Sequence, residues 1–272
     1  MGQAPIVVVH KNDETLLSGF QLIQELGGNV QTAPDYSRAD GIEYAPRNTA
    51  ATLLFVESDA EYLVLCDPDI VFLGRIPLED YVPTEKQVSF DELSYLHLDS
   101  DEYGPIMEQA VRNAGVPIES LRQAPINGGV PHIIPSSLKT TLSEDWLACM
   151  KRFPTTGPEA SSSASPPRLP WLTTMWALVL AVHRLALKPV MTRFCLSNHN
   201  GYRPLSAIDC EGRMLIHYCY GDDGFDKRRF FSECDARRHV WNATADEGTI
   251  HGAVCAQLNA ARQYYGIPSP VK

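Results

Sequence analysis

Apolar positions follow two rhythms along this chain. Ile6-Val7-Val8-Val9 is a short, continuous β-branched run, the pattern of a strand buried on both faces of a parallel sheet. Residues 14–26 (ETLLSGFQLIQEL) then carry apolar residues at helical spacing, and Gly27-Gly28 stops the helix. Strand followed by helix is the opening of a nucleotide-binding α/β fold. Residues 29–46 are polar and rich in turn formers, with a weak strand expected inside an irregular stretch. Helices are predicted over 47–56, with Asn48 or Thr49 as the cap, near 104–114, over 136–152, over 171–187 and near 250–264. Further strands are predicted at Tyr62 to Cys66, at Ile70 to Leu73, within 125–135, at 189–196 and at 213–218.

Two stretches refine this picture. The run 171–187 (WLTTMWALVLAVHRLAL) is the longest apolar segment, but it is short for a bilayer span and is interrupted near its end by His183 and Arg184. It reads as a buried helix, with Trp171 and Trp176 at helical spacing favoured as core residues over the alternative that either lines an acceptor or donor site by stacking on a sugar or base. Residues 154–170 (PTTGPEASSSASPPRLP) are poor in large apolar residues, and read as a mobile loop within one domain rather than a linker. The expectation is thus a single α/β domain over residues 1–272, with a mostly parallel central sheet flanked by helices. The opening MGQAPIVVVH has no basic region or long apolar core, and Ile6 breaks the myristoylation pattern, so a cytoplasmic protein without a membrane span is expected.

Composition adds exclusions. With 44% hydrophobic and 21% charged residues the chain is of ordinary globular type. A formal net charge of −10 argues against nucleic acid as a partner. It leaves room for a nucleotide, because a bound metal supplies positive charge locally. The seven cysteines are odd in number and lack a C-x-x-C pair, which reads as reduced thiols rather than a zinc or disulfide framework. No sequence feature speaks to oligomeric state.

The chemistry centres on Asp67-Pro68-Asp69, which follows directly from the strand ending at Cys66. Ligands of parallel α/β sheets bind beyond the carboxyl ends of the strands. Two carboxylates there suit Mg²⁺ or Mn²⁺ bridging phosphates, although Asp-Pro is equally a plain turn former. His217, in Leu215-Ile216-His217-Tyr218, ends another apolar run and is either a packed core histidine or a metal ligand.

Taken together, VLCDPDIVFLGRIP and LIHYCYGDDGFDKRRF resemble the metal-binding segment and the C-terminal His-Tyr-x-Tyr-Gly and Phe-Asp-Lys-Arg segments of the plant hydroxyproline O-arabinosyltransferases and peptidyl-serine galactosyltransferases. Asn48, PINGGVPHII and the tryptophan helix fall in the same order as in that family. The resemblance implies a GT-A (Rossmann-like) fold, a nucleotide-sugar donor and a divalent ion, Mn²⁺ or Mg²⁺; a UDP-sugar is the leading expectation for the donor. It assigns Asp67, Asp69 and His217 to the metal, Arg47 and Asn48 to the nucleotide, Asn127 and Gly128 to the transferred sugar, and Lys227 and Arg228 to the diphosphate. One departure is that Thr173-Thr174 stand where those relatives carry a carboxylate.

The expected activity is therefore metal-dependent transfer of a hexose or pentose to a hydroxyl of a peptide, a glycan or a small molecule, with retention at the anomeric centre. Asp222, Asp223 and Glu57 are the candidate catalytic carboxylates by position, each equally readable as a turn, cap or surface residue. Two alternatives stand beside it. A sugar nucleotidyltransferase would carry a Gly-rich basic loop after the first strand, where this chain reads VHKNDETL. A non-catalytic sugar-nucleotide-binding protein would hold the donor without turnover.

Overall fold

A computed structural model describes residues 5–13, 18–74, 76, 81–91, 98–99, 101, 103–123, 128–155, 167–198, 203–206, 208, 213–218 and 245–266. It is a mixed α/β structure whose chain divides into two compact units, each assembled from separate stretches. Unit 1 takes Met1–Val64 and Val82–Met191, and unit 2 takes Leu65–Tyr81 and Thr192–Lys272.

Unit 1 opens with β1 (Ile6–His10), α1 (Ser18–Glu25) and β2 (Asn29–Ala33), and β1 and β2 pair in parallel with Val8 opposite Gln31. Every residue of β1 is only half-buried, which corrects the reading of a strand buried on both faces. The reason is that, among the described residues, β2 is the only neighbour of β1 in its sheet. Gly27, at φ 82°, takes the left-handed conformation that ends α1, as Gly27-Gly28 suggested.

Next come α2 (Arg47–Phe55), β3 (Tyr62–Leu65), β4 (Ile70–Phe72), β5 (Gln87–Asp91), α3 (Gly104–Ala114), α4 (Ile118–Gln123), β6 (Gly129–Pro135), α5 (Lys139–Met150), α6 (Thr173–Arg184) and β7 (Lys188–Thr192). All but β4 belong to unit 1, save for the last residues of β3 and β7, Leu65 and Thr192, which fall in unit 2. Its four-stranded sheet has the order β3-β6-β5-β7, with β5 and β6 antiparallel at the centre. Val88, Phe90, Ile133 and Ile134 of that central pair are fully buried, each worth about 1.5–3 kcal/mol of apolar transfer. The helices α2, α5 and α6 pack on one another. Ala50 and Ala51 of α2 have no exposed surface, and such small side chains let α5 come close enough for Ser143 Oγ to donate to the Ala50 carbonyl at 2.7 Å. Trp146 of α5 donates its indole N–H to the Thr174 carbonyl of α6 at 2.7 Å.

In α6 every residue from Trp176 to Val182 is buried, so it is the buried helix its composition predicts. Among the described residues no helix is long and apolar enough to cross a membrane. The two tryptophans part company, however. Trp176 is core at 4% exposure, whereas Trp171 is 63% exposed and lies just ahead of the helix rather than within it.

Unit 2 holds β4, β8 (Cys195–Asn198), β9 (Leu215–Tyr218) and α7 (Ile250–Tyr264). Its sheet has the order β4-β9-β8, antiparallel between β4 and β9 and parallel between β8 and β9. Ile216 of β9 meets Ile250 and Val254 of α7, with Ile208, to form the unit's core. The Thr249 hydroxyl caps α7 by accepting from Gly252 N at 3.1 Å. A Cβ on Gly252 would fall 2.1 Å from the Asp246 carbonyl, so the turn before α7 requires glycine there.

The described strands therefore form three small sheets of mixed sense; a single, mostly parallel central sheet is not seen among them. The strand predicted over 189–196 is split between β7 and β8, which join different sheets. The 154–170 stretch lies largely outside the described residues.

Candidate metal centre

Asp67-Pro68-Asp69 forms a turn that leads from β3 into β4, closed by Ile70 N donating to the Asp67 carbonyl at 3.2 Å. Proline at the second position of such a turn has its φ preset, and the turn places both aspartates at one end of β4. The β4–β9 register sets Ile70 opposite His217. An imidazole from β9 thereby arrives at the turn.

His217 Nε2 is 3.4 Å from Asp67 Oδ2 and 3.3 Å from Asp69 Oδ1. One ligand atom from each of the three residues lies within 4.8 Å of the others. All three side chains are partly buried. Two carboxylates held this close repel each other unless positive charge stands between them. Two sources meet that need: an imidazolium at His217, or a cation coordinated by neutral His217 and both aspartates. Two carboxylate oxygens and one imidazole nitrogen are a donor set that fits a divalent ion such as Mn²⁺ or Mg²⁺, with the remaining positions left for water or phosphate oxygens. Cys66, next along the chain, stays a thiol, because burial and the neighbouring Asp67 charge push it up to about 12. Among the described residues, Cys66, Cys149, Cys195 and Cys255 are unbridged.

The other residues singled out by sequence belong to unit 1 or lie outside the described residues. Asn127, Asp222, Asp223, Lys227 and Arg228 are in the latter group. Arg47 is buried at 3% exposure, and its Nη1 donates to the carbonyls of Ala39 and Ile42. It ties down the turn that precedes α2. Asn48 is the second residue of α2, and Pro46 occupies the cap, so neither Asn48 nor Thr49 caps the helix. The Tyr44, Ala45 and Pro46 carbonyls already take the first three N–H groups, leaving the Asn48 side chain for other work. Its Oδ1 accepts from Tyr36 N at 2.8 Å and its Nδ2 donates to Asp35 Oδ1 at 2.9 Å. Glu57 is exposed, with its backbone bonded in both directions to the Gln31 side chain. Gly128 is buried, and a Cβ there would lie 2.9 Å from the Met175 carbonyl, so only glycine fits against the first turn of α6.

Sequence reasoning passed over a polar cluster at the carboxyl ends of β1 and β2. His10 Nδ1 meets the Pro34 carbonyl at 2.8 Å, and its Nε2 meets Thr52 Oγ1 at 2.9 Å. Burial raises the Asp35 carboxyl, but hydrogen bonds from Asn48 and Ser37 outweigh that and hold it below the usual carboxylate value. Its one legible signal was position, since both residues follow directly from parallel strands. Tyr44 was also missed: its hydroxyl donates to the Trp171 carbonyl and accepts from Thr174 N. The phenol caps α6 and, being buried, stays protonated far into the alkaline range.

No protein-family model matches the chain, and no curated protein or solved structure is significantly similar to it.

Proposed function

We propose that the protein is a metal-dependent glycosyltransferase of the GT-A type that moves a sugar from a nucleotide-sugar, specifically a UDP-sugar, to a hydroxyl acceptor. The observation that carries this reading is the convergence of Asp67, Asp69 and His217 on one point, from a turn and a strand distant in sequence. Asp67 and Asp69 would hold the ion through carboxylate oxygens, and His217 through Nε2. When bound, the ion supplies positive charge for the diphosphate leaving group as the bond to the sugar breaks.

Residues of the chain contribute the rest of the reading. The Asp67–Asp69 turn and the β4–β9 register fix three ligands on secondary structure rather than on side-chain flexibility, which limits reorganisation during the reaction. Asp35 and Asn48, at the carboxyl ends of parallel strands and the start of α2, stand where α/β proteins commonly bind nucleotides, which supports a nucleotide donor. Lys227 and Arg228 are assigned to the diphosphate by the resemblance alone, as Asn127 and Gly128 are to the sugar. Transfer with retention, the acceptor proton leaving with the departing phosphate oxygen, requires no protein base. It leaves Glu57, Asp222 and Asp223 without a required catalytic role.

The deciding experiment is calorimetry of UDP and GDP with and without Mn²⁺, on the wild type and on Asp69→Ala. Metal-dependent UDP binding that Asp69→Ala abolishes is the expected result. Absence of nucleotide binding under both metal conditions removes the transferase reading. Hydrolysis of a UDP-sugar in the presence of metal then separates an enzyme from a non-catalytic binder.

A further inference from the structure

Trp171 is presented to solvent from a segment held by backbone hydrogen bonds on either side of it. It is 63% exposed, while its apolar neighbours Leu169 and Leu172 are buried at 6% and 4%. Thr173 N donates to the Pro170 carbonyl at 3.0 Å, so Trp171 occupies an outer corner of a turn. Its own carbonyl accepts from the buried Tyr44 hydroxyl at 3.0 Å, and the Tyr44 hydroxyl oxygen in turn accepts from Thr174 N at 2.8 Å. Upstream, Glu43 N donates to the Pro167 carbonyl, and Arg168 pairs with Glu43 at 3.3 Å. The segment is therefore fastened on both sides of an indole that points outward.

Leaving so large an apolar surface in water works against folding. We propose that Trp171 is a stacking platform for a pyranose ring of a neutral glycan. An indole face accepts the C–H face of a sugar, and a pre-ordered aromatic side chain loses little conformational entropy on binding. The nearby chain adds the polar complement: Glu43 pairs with Arg168 and with Arg38, so that a carboxylate can accept from sugar hydroxyls and guanidinium groups can donate to them. A protein partner calls for a contiguous apolar patch. Among the described residues of this unit, the other exposed large apolar side chains, Leu22, Val64 and Val82, sit on separate parts of the chain. A nucleic acid is repelled by the net charge of −10. The proposal deepens the transferase reading by naming a carbohydrate as the acceptor, and it rests on that reading only for the fate of the bound glycan.

The test is an array of neutral and acidic oligosaccharides probed with the full-length chain, without nucleotide or added metal. The variants are Trp171→Ala, Trp171→Phe and Asp69→Ala, each checked for unchanged thermal unfolding. Binding to neutral glycans is expected to fall about tenfold in Trp171→Ala and to survive in Trp171→Phe. Asp69→Ala should bind the array like the wild type while losing UDP, so failure of the donor site and failure of the platform are read separately. Absence of glycan binding by the wild type, or binding unchanged in Trp171→Ala, overturns the proposal. Partition of the wild type but not of Trp171→Ala onto phosphatidylcholine vesicles, with no glycan bound, assigns the tryptophan to a lipid surface instead.

Discussion

His217 Nε2 stands 3.3 Å from Asp69 Oδ1, brought there because Ile70, the next residue after Asp69, is the register partner of His217 across β4 and β9. A substitution that shifts this register moves the imidazole away from the turn. On the metal-site reading Mn²⁺ should stabilise the wild type against heat, and Asp69→Ala or His217→Ala should cancel that effect. Saturation at 100 times the dissociation constant corresponds to about 2.7 kcal/mol. A thermal-shift titration with Mn²⁺ and with EDTA checks this, and a wild type indifferent to both would leave His217 and the aspartates as an ion pair.

A second prediction concerns acid. His132 is buried between the rings of Phe90 and Trp146, and burial pushes it down to about 3 from an ordinary 6.5. The folded state thus holds the neutral ring, while the unfolded chain takes up a proton as pH falls below 6.5. Stability from this residue is complete above that pH and declines towards pH 3, by about 1.4 kcal/mol per pH unit. Comparing urea unfolding at pH 7.5 and pH 5 for wild type and His132→Gln reads the effect. The variant should lose less stability on acidification, and parallel losses would contradict the assignment.

Asn48 offers a way to tell a structural role from a nucleotide contact. Asn48→Ala leaves Tyr36 N and Asp35 without their bonds and should cost about 1–3 kcal/mol with no ligand present. Asn48→Asp should be worse at neutral pH, since a second carboxylate would face Asp35, and should recover towards low pH as one of them protonates. Chemical unfolding of both variants at two pH values provides the measurement.

Ala186 follows α6 at φ 51°, a left-handed conformation that costs a residue with a Cβ about 1 kcal/mol. Ala186→Gly relieves it and should raise the melting temperature by about 2–3 °C. A lowered melting temperature would mean that glycine's greater freedom in the unfolded chain outweighs the relief.

Local chemistry made much of the secondary structure legible. The helix expected near 104–114 is α3, and the final helix near 250–264 is α7, because each carries an apolar stripe with a capping residue next to one end, Gly115 after α3 and Thr249 before α7. The buried α6 was equally plain, since a helix apolar on nearly every side has no stable place in water. Asp67, Asp69 and His217 stood out as residue types, but their meeting depends on which residue of β9 faces Ile70, and register is set by cross-strand packing that no local window contains. The same limit explains β1, whose β-branched run announced a strand but not the number of its neighbours. It explains the broken strand at 189–196, where one apolar run serves two sheets. It also explains the tryptophans: Trp171 and Trp176 look alike in sequence, and only the turn at Pro170 and the cap from Tyr44 decide that one faces water and the other the core. Periodicity and capping are properties of neighbours along the chain, so the sequence by itself determined most of the elements, though not β5 or α4, which carry no clear period of their own. Register, strand count and exposure are properties of neighbours in space, and the tertiary structure alone decided those.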